Sequence, residues 1–378
     1  MNILSALEHF SPSIIFTGGW WHSGTMNTFL SMVHSYKADP KTFMALVDLP
    51  LEEQAPRLLA VLKQQENHVL RTEHSSRLPS QSGLAKLLKE VANIDDFSLF
   101  ADEVVDYYEQ FGALFRPAYD GQRISALMLA LTKHDTKKQV FIPCASLGQL
   151  GWGLNAEKLE LTEYYRSLAD IGKKLMAIKG VTGTYSYMND LLDPDQIPKN
   201  ADLVLITPEY HPKFTAKELV KLEQVNYKLL NVENAKYTME SLWLQFGLFH
   251  THAQGKVLLA LPTRFLDKGS YDAKIKKMIV DEDWIESVIK LPTDLFSWRR
   301  NVSSVIITLN KNKDLVHKGF VSFIDATALT LSADDMVNIA NAALNPKVED
   351  KTVLRVPLSA IKAAKYSLNQ KRYSLGEI

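Results

Sequence analysis

Gln139–Gly151 reads QVFIPCASLGQLG and Asp202–Tyr210 reads DLVLITPEY. Each is an apolar, strand-like run that ends in a turn of small residues or proline. Parallel strands that deliver loops in this way place them at the carboxyl edge of a sheet. That edge is where open α/β sheets bind ligands. The segments around the two runs alternate in type. Strand patterns at Lys158–Leu161, Thr184–Met188, Lys256–Leu261, Trp284–Leu291 and Val302–Asn310 are interleaved with helical periodicity at Asp120–Lys133, Tyr164–Lys179, Lys217–Leu230, Lys236–His252 and Asp272–Ile279. Gly180 stands where a helix C′ glycine belongs. The alternation predicts an α/β fold, a doubly wound Rossmann-like sheet with helices on both faces. The last two strands are joined by a short loop with no helical pattern, which predicts an antiparallel pair. Phe320–Ala326 and Thr352–Pro357 add further β-like segments.

The first hundred residues have a different texture. Phe29, Met32 and Val33, then Leu58, Leu59 and Leu62, then Leu84, Leu87, Leu88 and Val91 recur at helical spacing. Arg77–Gly83 (RLPSQSG) punctuates them as a linker. The domains expected are therefore a helical N-terminal domain over 1–100, a sheet domain over 101–315 and a β-containing extension over 316–378.

The chain has 378 residues, 46% hydrophobic and 23% charged, an ordinary globular profile. Basic and acidic residues number 43 each, so nucleic-acid binding would need a local patch rather than a global charge. The single cysteine, Cys144, excludes an intrachain disulfide and a cysteine-cluster zinc site, and reads as a packing residue. No histidine has convincing metal-ligand spacing, so no metal is expected. No basic, apolar leader opens the chain, and no run suits a membrane span, which predicts a cytoplasmic protein.

From Gly112 to Tyr373 the order of weak motifs resembles the modification subunits of type I restriction systems, the N6-adenine DNA methyltransferases. Pro262, Leu291-Pro292, Phe296, Lys311–Lys313, FIDA at Phe323–Ala326 and YSLNQKRY at Tyr366–Tyr373 sit where that family's pattern wants them. The resemblance implies a seven-stranded sheet with an antiparallel last hairpin, S-adenosylmethionine as methyl donor, and DNA and other protein subunits as partners. Carried over residue by residue, the donor side would comprise Phe115 and Pro117, then Pro143 and Gly148 after the first strand. Glu160 at the end of the second strand would bind the ribose, and Asp190 the adenine amine. The target base would meet Thr207, Pro208 and Tyr210, since such enzymes work on a base taken out of the stack. Trp298, Arg299 and Arg300, in the loop between the last two strands, suit phosphate and stacking contacts, although an exposed Arg pair is also an ordinary solvated surface.

Five positions depart from the family. Ile142 replaces the acid that would pair with the donor's ammonium group. Ser146 and Leu147 occupy a turn otherwise rich in glycine. Thr207 replaces Asn or Asp, and Glu209 replaces a proline. Three functions follow from this pattern: a DNA-modification or defence subunit with impaired catalysis, an active methyltransferase with a divergent site, or a scaffold that binds partners and no donor.

Overall fold

The computed structural model describes residues 6–7, 20–65, 78–111, 121–132, 137–197, 199–208, 215–225, 227, 238–267, 269, 271–293, 295, 303–346 and 352–373. Two compact units emerge. The first comprises 1–119, 146–152 and 165–187, and the second 120–145, 153–164 and 188–378.

In the first unit, helices α1 (Trp20–Ala38), α2 (Pro40–Val47), α3 (Leu51–Gln65), α4 (Gln81–Ala92) and α5 (Phe97–Phe111) form a helical cluster. Of the residues at helical spacing, Leu59 is half-buried, and Phe29, Leu58, Leu84, Leu87 and Val91 are buried in the cluster's core. Burying each such side chain contributes about 1.5–3 kcal/mol. Ser80, within the punctuating stretch, caps α4 by accepting from the Gly83 amide at 3.3 Å. Helix α8 (Arg166–Lys179) belongs to this unit too, with Ile171, Leu175 and Ile178 in the same core. Buried Lys174 donates to Asn27 Oδ1 at 2.9 Å. Lys37 Nζ reaches the last carbonyls of α8, Ala177 at 3.1 Å and Ile178 at 2.6 Å, a favourable place for a cation. Gly180 closes α8 at φ 82°, as its position predicts. The one-turn α7 (Gln149–Trp152) and the short strand β3 (Thr184–Tyr187) also belong to this unit.

The second unit opens with α6 (Gln122–Thr132) and holds β1 (Lys137–Ile142), β2 (Ala156–Glu163), β4 (Ala201–Ile206), β5 (Thr251–Pro262), β6 (Ile285–Lys290), β7 (Ser304–Asn310), β8 (Phe320–Asp325) and β9 (Val353–Pro357). They are hydrogen-bonded in the order β2-β1-β4-β5-β7-β6-β8-β9. β1, β2, β4 and β5 run parallel. β7 lies antiparallel between β5 and β6, the reversed hairpin that the short loop predicted. β8 and β9 extend the sheet beyond the seven strands implied, β8 parallel to β6 and β9 antiparallel to β8. Every residue of β7 is buried, as expected of a strand covered on both faces.

Between β4 and β5 come α9 (Ala216–Glu223) and α10 (Met239–His250); between β5 and β6 comes α12 (Tyr271–Asp281), after the one-turn α11 (Arg264–Asp267). Helix α13 (Ala333–Leu344) precedes β9, and α14 (Leu358–Ala363) follows it. The helix expected over Lys236–His252 ends at His250, and β5 begins at the next residue. Glycines explain the tight junction. A Cβ at Gly247 would lie 2.7 Å from Val257 Cγ1, and one at Gly255 would lie 2.8 Å from the Ala201 carbonyl oxygen.

Candidate functional site

The turn after β1 is built from left-handed residues. Cys144 and Ser146 have φ 52° and Gly148 has φ 86°. Only glycine takes that conformation freely. A side chain there costs on the order of 1–2 kcal/mol, so the turn needs outside support. The Ala145 amide donates to the Thr162 carbonyl at 2.9 Å. The Ser146 carbonyl accepts from the buried Tyr185 hydroxyl. The Tyr185 ring lies where a Cβ on Gly172 would meet it at 2.7 Å, so that glycine makes room for the clamp. Leu147 is fully buried in the core of the helical unit. Its bulk is absorbed by packing.

Ile142 is fully buried at the end of β1. Pro143 and half-buried Cys144 follow it. Asp190 comes next to this turn through the Cys144 amide, which donates to its Oδ2 at 3.4 Å. Asp190 is only 3% exposed, and its other oxygen, Oδ1, has no hydrogen-bond partner among the described residues. Burial pushes the Asp190 carboxyl up to about 7, against the opposing influence of the Thr162 hydroxyl and Cys144 amide, and the Asp193 charge adds to the rise.

Glu160 requires a correction. It is not at the end of the second strand: β2 continues through Leu161 and Thr162 to Glu163. Glu160 stands opposite Phe141, and its Oε2 accepts from Gln139 Nε2 and pairs with Lys158 Nζ, both at 3.0 Å. The carboxylate at the carboxyl end of β2 is Glu163, 2% exposed. Thr162 and Glu163 escaped sequence reading because their polarity suggested a loop, whereas both are buried strand residues. The only available signal was a polar pair directly after an apolar strand.

Thr207 and Pro208 follow β4 directly, half-buried and buried respectively. Ile206 pairs with Leu259 of β5, so the two residues lie at the carboxyl edge beside the end of β5. Phe115, Pro117, Tyr210, Trp298, Arg299 and Arg300 lie outside the described residues. Among the described residues, no group of His, Cys, Asp and Glu is placed to hold a metal, and no helix is long and apolar enough to cross a membrane.

A doubly wound sheet with this reversed hairpin, a left-handed turn after β1 and Thr207-Pro208 at the end of β4 defines a Rossmann-like methyltransferase fold. The chain belongs to the N-6 DNA Methylase family, whose model matches residues 118–377. It is similar to the type I restriction enzyme HindI methylase subunit of Haemophilus influenzae, 27% identical over 179 residues. That match covers 44% of this chain and 39% of the relative, so the chain spans less than half the relative's length. Among solved structures, the type I restriction-modification methyltransferase subunit of Streptococcus thermophilus superimposes with a TM-score of 0.70 at 17% identity, covering 98% of each chain. A class I S-adenosylmethionine-dependent methyltransferase from Listeria monocytogenes, described as putative in its name, gives 0.54 at 16% identity over 85% of this chain and 98% of that one. At these identities the two structures establish the shared fold.

Proposed function

We propose that the chain serves as an adenine-N6 DNA methyltransferase-like subunit of a restriction-modification or phage-defence type assembly. It binds DNA and partner subunits in the cytoplasm, and its methyl transfer is impaired.

Family membership supports the class of reaction, and Ile142 carries the reading of impairment. S-adenosylmethionine, when bound, supplies an electrophilic methyl group for the amine of a target adenine. The residues present fit one end of this donor and not the other. The unpartnered Oδ1 of Asp190 is an acceptor suited to the donor's adenine amine. Glu160 holds the family's place for the ribose hydroxyls, and Glu163 is the acid at the strand end. At the ammonium end the apolar Ile142 stands in place of a carboxylate. Losing a charged hydrogen-bond partner there costs roughly 2–3 kcal/mol, or about 30- to 150-fold in affinity. Thr207 offers the target amine a single short hydroxyl, with the Pro208 carbonyl beside it. Phe115, Pro117, Pro143 and Gly148 would shape the donor side, Tyr210 would stack on the base, and Trp298, Arg299 and Arg300 would follow the strand.

One observation favours the active reading instead: the buried acceptor at Asp190 is retained, at a desolvation cost that an adenine amine would offset. Calorimetric titration with S-adenosylhomocysteine, paired with radiolabelled methyl transfer to duplex DNA, separates the readings. Weak binding without transfer is expected. Multiple turnovers onto adenine would overturn the impairment. No binding at millimolar ligand would favour a scaffold.

A further inference from the structure

The YSLNQKRY ending forms a clip on the carboxyl edge of the sheet. The Leu368 amide donates to the Leu266 carbonyl at 3.4 Å, and Asn369 Nδ2 donates to Asp267 Oδ2 at 2.8 Å. Asn369 Oδ1 in turn caps the following turn through the Lys371 amide at 3.2 Å. Leu266 and Asp267 lie just past β5, and β5 pairs with β4, whose end carries Thr207 and Pro208. The clip therefore sets Lys371 and Arg372 on the same edge as the turn that would meet the target base.

The same surface continues onto α12 and α14. Arg372 is close enough to α12 for its charge to act on Lys276. Lys277 Nζ donates to the Tyr366 hydroxyl at 3.0 Å, and Lys362 pairs with Asp281 at 3.0 Å. Asp281 is thus shared between Lys277 and Lys362. Lys274, Lys365, Lys371 and Arg372 are exposed, and none of the four forms an ion pair among the described residues. In a chain with no net charge, this is a local excess of cations.

We propose that Lys274, Lys365, Lys371 and Arg372 bind the phosphate backbone of duplex DNA as it approaches the edge at Thr207–Pro208. The inference rests on the DNA-binding reading above and adds the surface that serves it. Two properties select phosphates over an acidic protein. The exposed large apolar residues lie elsewhere, at Leu219, Val220, Leu315 and Val337 among others, and none is on α12, α14 or the clip. A protein interface needs such an apolar centre. Exposed Lys and Arg heads without an ion pair among the described residues suit phosphates, which fix register without reading sequence.

The test is fluorescence anisotropy with a labelled duplex across a salt series, comparing wild type with Lys371→Ala/Arg372→Ala and with Lys274→Ala. The clip's bonds at 371 and 372 use backbone amides, so the variants should keep the wild-type thermal midpoint. Each lost phosphate contact should lower the slope of log affinity against log salt by about 0.9. The double variant should therefore lose about 1.8, and the single variant about half that. Wild-type slopes in both variants overturn this surface and leave the DNA reading standing. A wild type that binds no duplex at low salt overturns both. Capture of polyglutamate with no duplex bound overturns the proposal in favour of an acidic protein partner.

Discussion

The Tyr185 hydroxyl donates to the carbonyl of Ser146, a residue held in left-handed backbone. Two substitutions separate the clamp from the strain it opposes. Tyr185→Phe leaves a buried carbonyl without its donor and should destabilise by about 1–2 kcal/mol. Ser146→Gly relieves about 1–2 kcal/mol of strain and costs about 0.5–1 kcal/mol in unfolded-chain entropy, so it should be neutral or slightly stabilising. In the Ser146→Gly background, Tyr185→Phe should cost less. Urea unfolding of the four proteins in this cycle checks the coupling.

Asp190 makes stability depend on pH in a definite direction. Its folded value of about 7 lies above the ordinary 3.8. The folded state therefore holds a proton that the unfolded chain gives up. Asp190 costs nothing below the ordinary value, and its cost grows as pH rises towards 7, reaching roughly 4 kcal/mol in slightly basic solution. Asp190→Asn should be more stable than wild type at pH 8 and equal to it near pH 3. Thermal midpoints measured across that range test the sign. A ligand amine donating to Oδ1 would favour the ionised form, so its binding near pH 6 should release protons. Calorimetry in buffers of different ionisation enthalpy detects this.

Lys313 is a buried staple. Its Nζ reaches Asp283 Oδ1 at 2.6 Å and the carbonyls of His317 and Phe320 at 3.2 and 2.8 Å. Burial holds its ammonium below the usual lysine range, and Asp283 works against that. Lys313→Met should destabilise by roughly 3 kcal/mol, because it frees the Asp283 carboxylate and two carbonyls. Lys313→Arg should recover only part of this, since a planar fork does not fit a three-point socket. Denaturant midpoints rank the three proteins.

Gly247 lets α10 lie against the sheet. An added methyl would press on Val257 and Ile206, at 2.7 and 3.0 Å. Gly247→Ala should therefore cost about 1–3 kcal/mol by overpacking, despite alanine's better helix propensity. Loss of thermal stability, with helix content unchanged by circular dichroism, is the expected outcome.

The sheet was legible because its strands are nearly continuous apolar runs, and because the loop after Leu291 is too short for a crossover helix. Gly180 stood out as a helix stop, and Asp190 was picked out by the family resemblance of its segment. Other features had no local signature. The switch from α10 to β5 at Thr251 has no Pro or Gly at the junction. Its determinants, Gly247 and Gly255, make contacts visible only once β4 and β5 are paired. Ser146 gives no hint of left-handed backbone, because the strain is opposed by Tyr185, distant in sequence. Lys311 and Lys313 looked like a charged pattern at a strand end. In the fold, Lys311 caps α10 on the carbonyls of Leu248 and Thr251 at 2.6 and 2.8 Å, and Lys313 is the staple described above.

The placement of β7 between β5 and β6 has a consequence for biosynthesis. Until Ser304–Asn310 has emerged from the ribosome, β5 has only β4 beside it and β6 has no partner strand. Each then offers an open, apolar edge, the kind of surface that draws in other chains. Insertion of Ser304–Asn310 closes the facing edges of β5 and β6 at once, and β8 later covers the other edge of β6. A nascent chain stalled just before this point should be the most aggregation-prone intermediate, and one released just after it should have the sheet's centre sealed.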